Sequence, residues 1–377
     1  MKLRTDKLDG LQGKLAVLVR RAKRSAAVAP RVLDALETAC AVLFAIGCAH
    51  LLGQRNVGWA AFSAYMVMRP QLTETTRRGA LRMIGTIAGA MLACFLPASW
   101  MTSLPGAALV LAAGGGLSLY LALTRRHGYA WLVVGLTFTM VAVDLMAGAD
   151  ASLFAISRVG EVVTGTSCAL AVSTLSLLLV RRRLGRGYLA AAPLSPPPAP
   201  SVWHPAAMRH ALKAALALAL VPFAARAIIL PEAVQAGVTI LVVLMIPLRE
   251  LDAAHGHAIR RLLHRVAGCL SGGALAAALL HTFHPWPAVV ALSIAAGVAA
   301  GRFIESAPTA MTYIGAQFAL AFLVVLVPDT YDTVDLEGGI DRFFGVLWGM
   351  ALLYPVLLLA QLSARALRRG VRPDADD

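Results

Sequence analysis

The sequence predicts an all-α membrane protein of two tandem, parallel six-span repeats, about 12 transmembrane helices related by a pseudo-two-fold axis along the membrane normal. Three observations carry this. Of 377 residues, 59% are hydrophobic and only 14% charged, with a mean hydropathy of +0.72. A soluble domain is nearer half apolar and a quarter charged, so much of this apolar surface must face lipid. Apolar segments recur between short polar breaks along nearly the whole chain. Finally, "RRGALRMIGTIAG", from Arg77 to Gly89, returns as "RRLLHRVAGCLSGG", from Arg260 to Gly273.

Residues 1–31 form a basic N-terminal segment. Leu8, Leu11, Leu15 and Leu18 share one helical face among Lys7, Lys14, Arg20, Arg21, Lys23 and Arg24, which suits an anionic membrane surface. They contain no apolar core of a secretory signal peptide. The first repeat, 32–183, holds apolar spans near 32–52, 57–69, 83–104, 106–123, 129–147 and 159–180. Residues 184–208, with their proline run, read as an extended cytoplasmic linker. The second repeat, 209–365, holds spans near 211–230, 233–247, 266–281, 286–301, 310–327 and 343–362. Residues 366–377 are a short cytoplasmic tail.

Charge placement orients the spans. With both termini in the cytoplasm, all but four of the 34 Lys and Arg fall inside, the exceptions being Arg55, Arg158, Arg226 and Arg342. That is the positive-inside rule, and it accounts for the formal net charge of +14 without a nucleic-acid partner. The placement fits a multi-pass protein of a bacterial inner membrane, in contact with membrane lipid.

The duplication is visible at fixed offsets. A shift of 183 lays Arg78, Arg82, Gly85 and Gly89 over Arg261, Arg265, Gly268 and Gly272, and a shift of 184 lays Arg158 and Gly165 over Arg342 and Gly349. Pro70 and Pro247 end the second span of each set. On a helix the two arginines and two glycines of each set fall in one narrow sector. The G-x-x-x-G steps Gly85/Gly89 and Gly268/Gly272 are helix-packing seams. If the two seams face each other, Arg78, Arg82, Arg261 and Arg265 converge and repel unless an anion joins them. A guanidinium grips a carboxylate through two parallel hydrogen bonds, so an organic acid fits this site. Arginines at a span end also snorkel to lipid phosphates, and for each one taken singly that role stays open.

Short, proline-ended spans at matching places in two repeats mark binding regions in transporters, which brings Ser63, Tyr65, Pro70 and Pro247 into the substrate site. Arg158 and Glu161, at i,i+3, form a candidate ion pair or proton carrier; the second copy has Asp341 and Arg342 adjacent, with Gly345 where the glutamate would stand. Gly114, Gly115 and Gly116 read as helix contacts. Cys40, Cys48, Cys94, Cys168 and Cys269 show no metal or disulfide spacing. No nucleophile, zinc or phosphate-loop motif is present, so neither an enzyme nor a cofactor is expected.

"WAAFSAYMVMRP" (59–70), "RMIGTIAG" (82–89) and "RVGEVVTG" (158–165) together resemble the signatures of the fusaric acid resistance (FUSC) and aromatic acid exporter family. The first repeat resembles it closely and the second more loosely, over about residues 32–362. The large cytoplasmic domains of many relatives have no counterpart in the linker or tail. The resemblance implies efflux of carboxylated, often aromatic, compounds, sometimes with a periplasmic adaptor protein; a proton gradient, with Glu161 as carrier, is the expected source of energy. A passive organic-anion channel and a non-transporting, lipid-binding membrane scaffold are the alternatives.

Overall fold

The computed structural model describes residues 28–148, 150–184, 203–228, 233–246, 254–283, 286–308, 311–327 and 336–370, and no strand occurs among them. In chain order the helices are α1 Val28–Leu51, α2 Val57–Val67, α3 Leu72–Cys94, the short α4 Ala98–Thr102, α5 Leu104–Thr124 and α6 Gly128–Met146. Then come α7 Ala151–Ser176, a π-helical turn Leu177–Arg181 and α8 Arg182–Leu184. The remainder are α9 Pro205–Ile228, α10 Ala233–Leu244, α11 Ala254–Phe283, α12 Pro287–Glu305, α13 Thr312–Leu326 and α14 Leu336–Gly370. Among the described residues eight helices are long and apolar enough to cross a membrane, and α2, α10 and α13 are shorter apolar helices. Large apolar side chains stand exposed all over the surface, Leu51, Phe95, Ile156 and Leu292 among them, as a lipid-facing surface requires.

Each apolar segment of the sequence overlaps a described helix, but several helices begin earlier than apolarity suggests, α7 at Ala151, not 159, and α14 at Leu336, not 343, among them. Helix α3 starts at Leu72, not 83, and α11 at Ala254, not 266. Arginine is a good helix former and can lay its aliphatic stem along a helix, so a charged stretch need not end one. Arg82 and Arg265 therefore sit well inside their helices. The third segment also ends early: Cys94 closes α3, and Pro97, which has no N–H for an α-helical ladder, precedes α4. Local signals set other ends. Ser103 accepts from the Gly106 N–H at the start of α5, and Asp150 accepts from Ser152 and Leu153 at the start of α7. After α1 and α6 the chain turns at Gly53 (φ 62°) and Gly148 (φ 84°), a region favoured by glycine.

Packing interleaves the two halves of the chain. Within each half the third span packs on the fifth (α3 on α6, α11 on α13), the fourth on the fifth (α5 on α6, α12 on α13), and the second on the sixth (α2 on α7, α10 on α14). Between the halves, α9 lies along α5, where Gly115 and Gly116 admit Leu218 and Ala215. In the matching position α1 meets α12 through Arg302, whose Nε and Nη2 donate to the Asp34 carboxylate at 2.7 and 3.3 Å. Two apolar cores result, and each mixes the halves. One joins Leu111, Phe138 and Val141 to Leu218, Ile240 and Leu244; the other joins Ala45, Val57 and Ala64 to Ile294, Phe322 and Leu326. Residues 1–27, most of the 184–208 linker, and 371–377 lie outside the described residues.

Candidate functional site

A cavity of about 430 Å³ opens between the halves, lined from α2, α3, α6 and α7 on one side and α10, α11, α12, α13 and α14 on the other. Arg78, Arg82, Arg261 and Arg265 all line it, joined by Arg69 and Arg158. The arginines of the repeated motif thus meet across the molecule and do not point to lipid.

Each motif arginine is held from behind. Arg82, 6% exposed, donates Nη2 to Ser63 Oγ at 3.1 Å and Nη1 to the Tyr129 hydroxyl at 3.4 Å. Arg265, also 6% exposed, donates Nη2 to Thr239 Oγ1 at 3.1 Å and Nη1 to Gln317 Oε1 at 2.5 Å. One turn earlier, the Arg78 guanidinium lies 4.3 Å from the Tyr129 ring centre, and Arg261 lies 4.6 Å from that of Tyr313. Arg261 also donates to the Met245 carbonyl. The ring faces give each cation partial compensation, about 0.5–2 kcal/mol. Among the described residues no carboxylate pairs with any of these four. The Nε–H of every one is buried without a hydrogen-bond partner. Leaving such a donor unmet costs about 1–3 kcal/mol, which an incoming oxygen ligand would relieve.

The other end of the cavity is built differently. Arg158 lies 4.2 Å from the Trp59 ring centre and 4.9 Å from that of Phe154, and pairs with Glu161 at 3.1 Å. Glu161 is fully buried, accepts from Ser157 at 2.8 Å and Asn56 at 3.1 Å, and does not line the cavity. It is the buried counter-charge of Arg158.

Ser63 and Tyr65 do not line the cavity; both are buried, Ser63 behind Arg82 and Tyr65 donating to Glu305 at 2.7 Å. Pro70 is exposed outside the cavity, and its carbonyl accepts from Arg181, which also pairs with Glu37. The π-helical turn that follows α7 carries this arginine. Pro247 lies outside the described residues. Asp341 is exposed, and the side chain of Arg342 lies outside the described part of its helix. The glycine steps do not face one another. Gly85 and Gly89 close on α6 at Ala130, Val133 and Val134, and Gly268 and Gly272 close on α13 at Ile314, Gln317 and Phe318. They bind the third span to the fifth within each half, and Arg82 and Arg265, in the same helical sector, meet Tyr129 of α6 and Gln317 of α13.

Sequence reasoning missed Tyr129, Tyr313, Thr239, Gln317, Arg69 and Glu305. A signal for the tyrosines was present: Tyr129 and Tyr313 stand at the offset of 184 that also relates Arg158 to Arg342. Among the described residues no cluster of His, Cys, Asp and Glu is arranged to hold a metal ion, and the five cysteines are free thiols.

A family profile described as "Fusaric acid resistance protein-like" matches residues 43–172 and 251–356, well over half of the chain and both arginine motifs. No curated protein and no solved structure matches.

Proposed function

The chain belongs to the fusaric acid resistance protein-like family of membrane transport proteins, and on that premise we propose that it exports organic anions, carboxylated aromatic compounds foremost, across a bacterial inner membrane. The observation that carries this reading is the cluster of Arg78, Arg82, Arg261 and Arg265, four cations around one cavity with no carboxylate partner among the described residues. A ligand carboxylate supplies the missing charge and accepts two hydrogen bonds from a guanidinium. Trp59, Phe62, Leu132, Leu136 and Leu320, also on the cavity wall, give an aromatic or aliphatic body an apolar surface.

The proposed frame is two six-span repeats, 32–183 and 209–365, about a pseudo-two-fold axis normal to the membrane, with both termini in the cytoplasm. Supporting it are the matched helix pairings of the halves and the matched settings of Arg82 and Arg265. In this orientation Arg78 and Arg261 stand on the cytoplasmic side and Arg158 toward the outside. Moving one negative charge outward is favoured by about 2.3 kcal/mol per 100 mV of membrane potential, inside negative. Export therefore has a driving force without a proton carrier. An adaptor protein beyond the membrane would receive the product.

The test is uptake of 4-hydroxybenzoate into proteoliposomes under a potassium diffusion potential. Arg82→Gln with Arg265→Gln is expected to reduce potential-driven flux to the protein-free level while the size-exclusion profile stays that of the parent. Parental flux in the double variant refutes the role of these arginines.

A further inference from the structure

We infer that Glu305 is the cavity's built-in counter-anion and sets how much negative charge a bound ligand carries; this rests on the anion-exporter reading above. Among the described residues Glu305 is the one acidic side chain on a wall that carries six arginines. It is the last residue of α12, in the second half, and it reaches toward the end of α2 in the first. Its Oε2 accepts from the Tyr65 hydroxyl at 2.7 Å and from Arg302 Nη1 at 3.1 Å, and its side chain is 19% exposed.

Arg302 does not need this charge. Two of its nitrogens already grip Asp34, and Nη2 also donates to the Met68 carbonyl at 3.0 Å. Asp34 answers the buried guanidinium from the side away from the cavity, which Asp34 does not line. The Glu305 charge is therefore surplus to the α1–α12 joint. Tyr65 and Arg302 pin it at the wall, so it cannot swing away when a ligand arrives. Arg69 lines the same cavity. The residue at the offset of 184 from Glu305 is Leu121, so the first half supplies no matching acid. Glu305 thus lowers the positive potential of the site from one side and penalises a ligand in proportion to its charge.

A cavity of about 430 Å³ is roughly 9 Å across. At that separation, with an effective dielectric constant of ~20, one fixed charge changes affinity on the order of tenfold per unit of ligand charge. A dianion bears twice the penalty of a monoanion, so neutralising Glu305 raises the dianion-to-monoanion affinity ratio on the order of tenfold.

The test uses the full-length purified protein and two probes of one skeleton, benzoate as monoanion and phthalate as dianion, with Kd values from calorimetry. Glu305→Gln is expected to raise the phthalate-to-benzoate affinity ratio on the order of tenfold. Asp34→Asn, which loosens the same arginine from the far side, is expected to lower stability and leave the ratio at the parent's value. Glu305→Met replaces the glutamine variant if size exclusion shows the latter misfolded. An unchanged ratio in the Glu305 variant, or an equal shift with Asp34→Asn, overturns the inference and leaves the exporter reading standing. Binding of neither probe to the parent, or binding untouched by Arg82→Gln with Arg265→Gln, removes the exporter reading and this inference together.

Discussion

Alanine at Gly85 and at Gly268 tests how the arginine helices are held. A Cβ at Gly85 would lie 2.6 Å from the Ala130 carbonyl oxygen and 2.8 Å from Val133 Cβ; at Gly268 it would lie 2.7 Å from both the Ile314 oxygen and Gln317 Cβ. A relaxed carbon–oxygen contact is about 3.3 Å, so each substitution forces α3 from α6, or α11 from α13, by roughly 0.7 Å. Two of the near atoms are backbone oxygens, which yield only if the helix moves. Overpacking of this kind costs about 1–3 kcal/mol. The displacement also pulls Tyr129 from Arg82, already at 3.4 Å, and Gln317 from Arg265. The control is Gly47→Ala on α1, where a Cβ meets nothing within 4 Å and a helical glycine is replaced by a better helix former. Apparent Tm in detergent and 4-hydroxybenzoate flux are measured for all three. Gly85→Ala and Gly268→Ala are expected to lower Tm by several degrees and flux severalfold, and Gly47→Ala to hold or raise Tm. Equal effects at Gly47 and Gly85 would refute the close-approach account.

Two more predictions follow from side-chain partners. Glu161→Ala leaves Arg158 buried without its ion-pair partner and is expected to destabilise by about 3–5 kcal/mol, whereas Arg158→Leu with Glu161→Leu recovers most of the yield of folded protein; size-exclusion recovery after heating checks both. Tyr129→Phe removes only a long hydrogen bond to Arg82 and is expected to leave the Kd for benzoate within about threefold, while Tyr129→Ala also removes the ring under Arg78 and weakens binding about tenfold or more.

Much of the architecture was legible because the signals that produce it are local. Hydropathy is a property of each stretch, so every apolar segment found by composition has its helix. Spacing on a helix is equally local, which is why Arg78 with Arg82, and Arg261 with Arg265, were assigned to one face each. The expected facing of the glycine steps failed for the opposite reason. Gly85 and Gly268 state that some backbone comes close, and any of several helices would satisfy them. The choice of α6 and α13 came from the shape of whole helices. Tyr65 shows the same ambiguity: a short span marked it as a ligand group, but its hydroxyl turned out to hold Glu305.

By itself the chain's order of residues determined that it lies in a membrane, how its helices are distributed, that one arginine–glycine motif recurs, and which arginines share a helical face. Periodicity and transfer energy act within one or two helical turns, and both are readable from neighbours along the chain. Only the tertiary structure decided that α1 joins α12 through Asp34 and Arg302, that Arg181 reaches Glu37, and that Glu305 stands on the same wall as Arg69. Those pairs lie up to 268 positions apart. A buried charge selects its partner by distance in space, and packing of the two interleaved cores sets that distance.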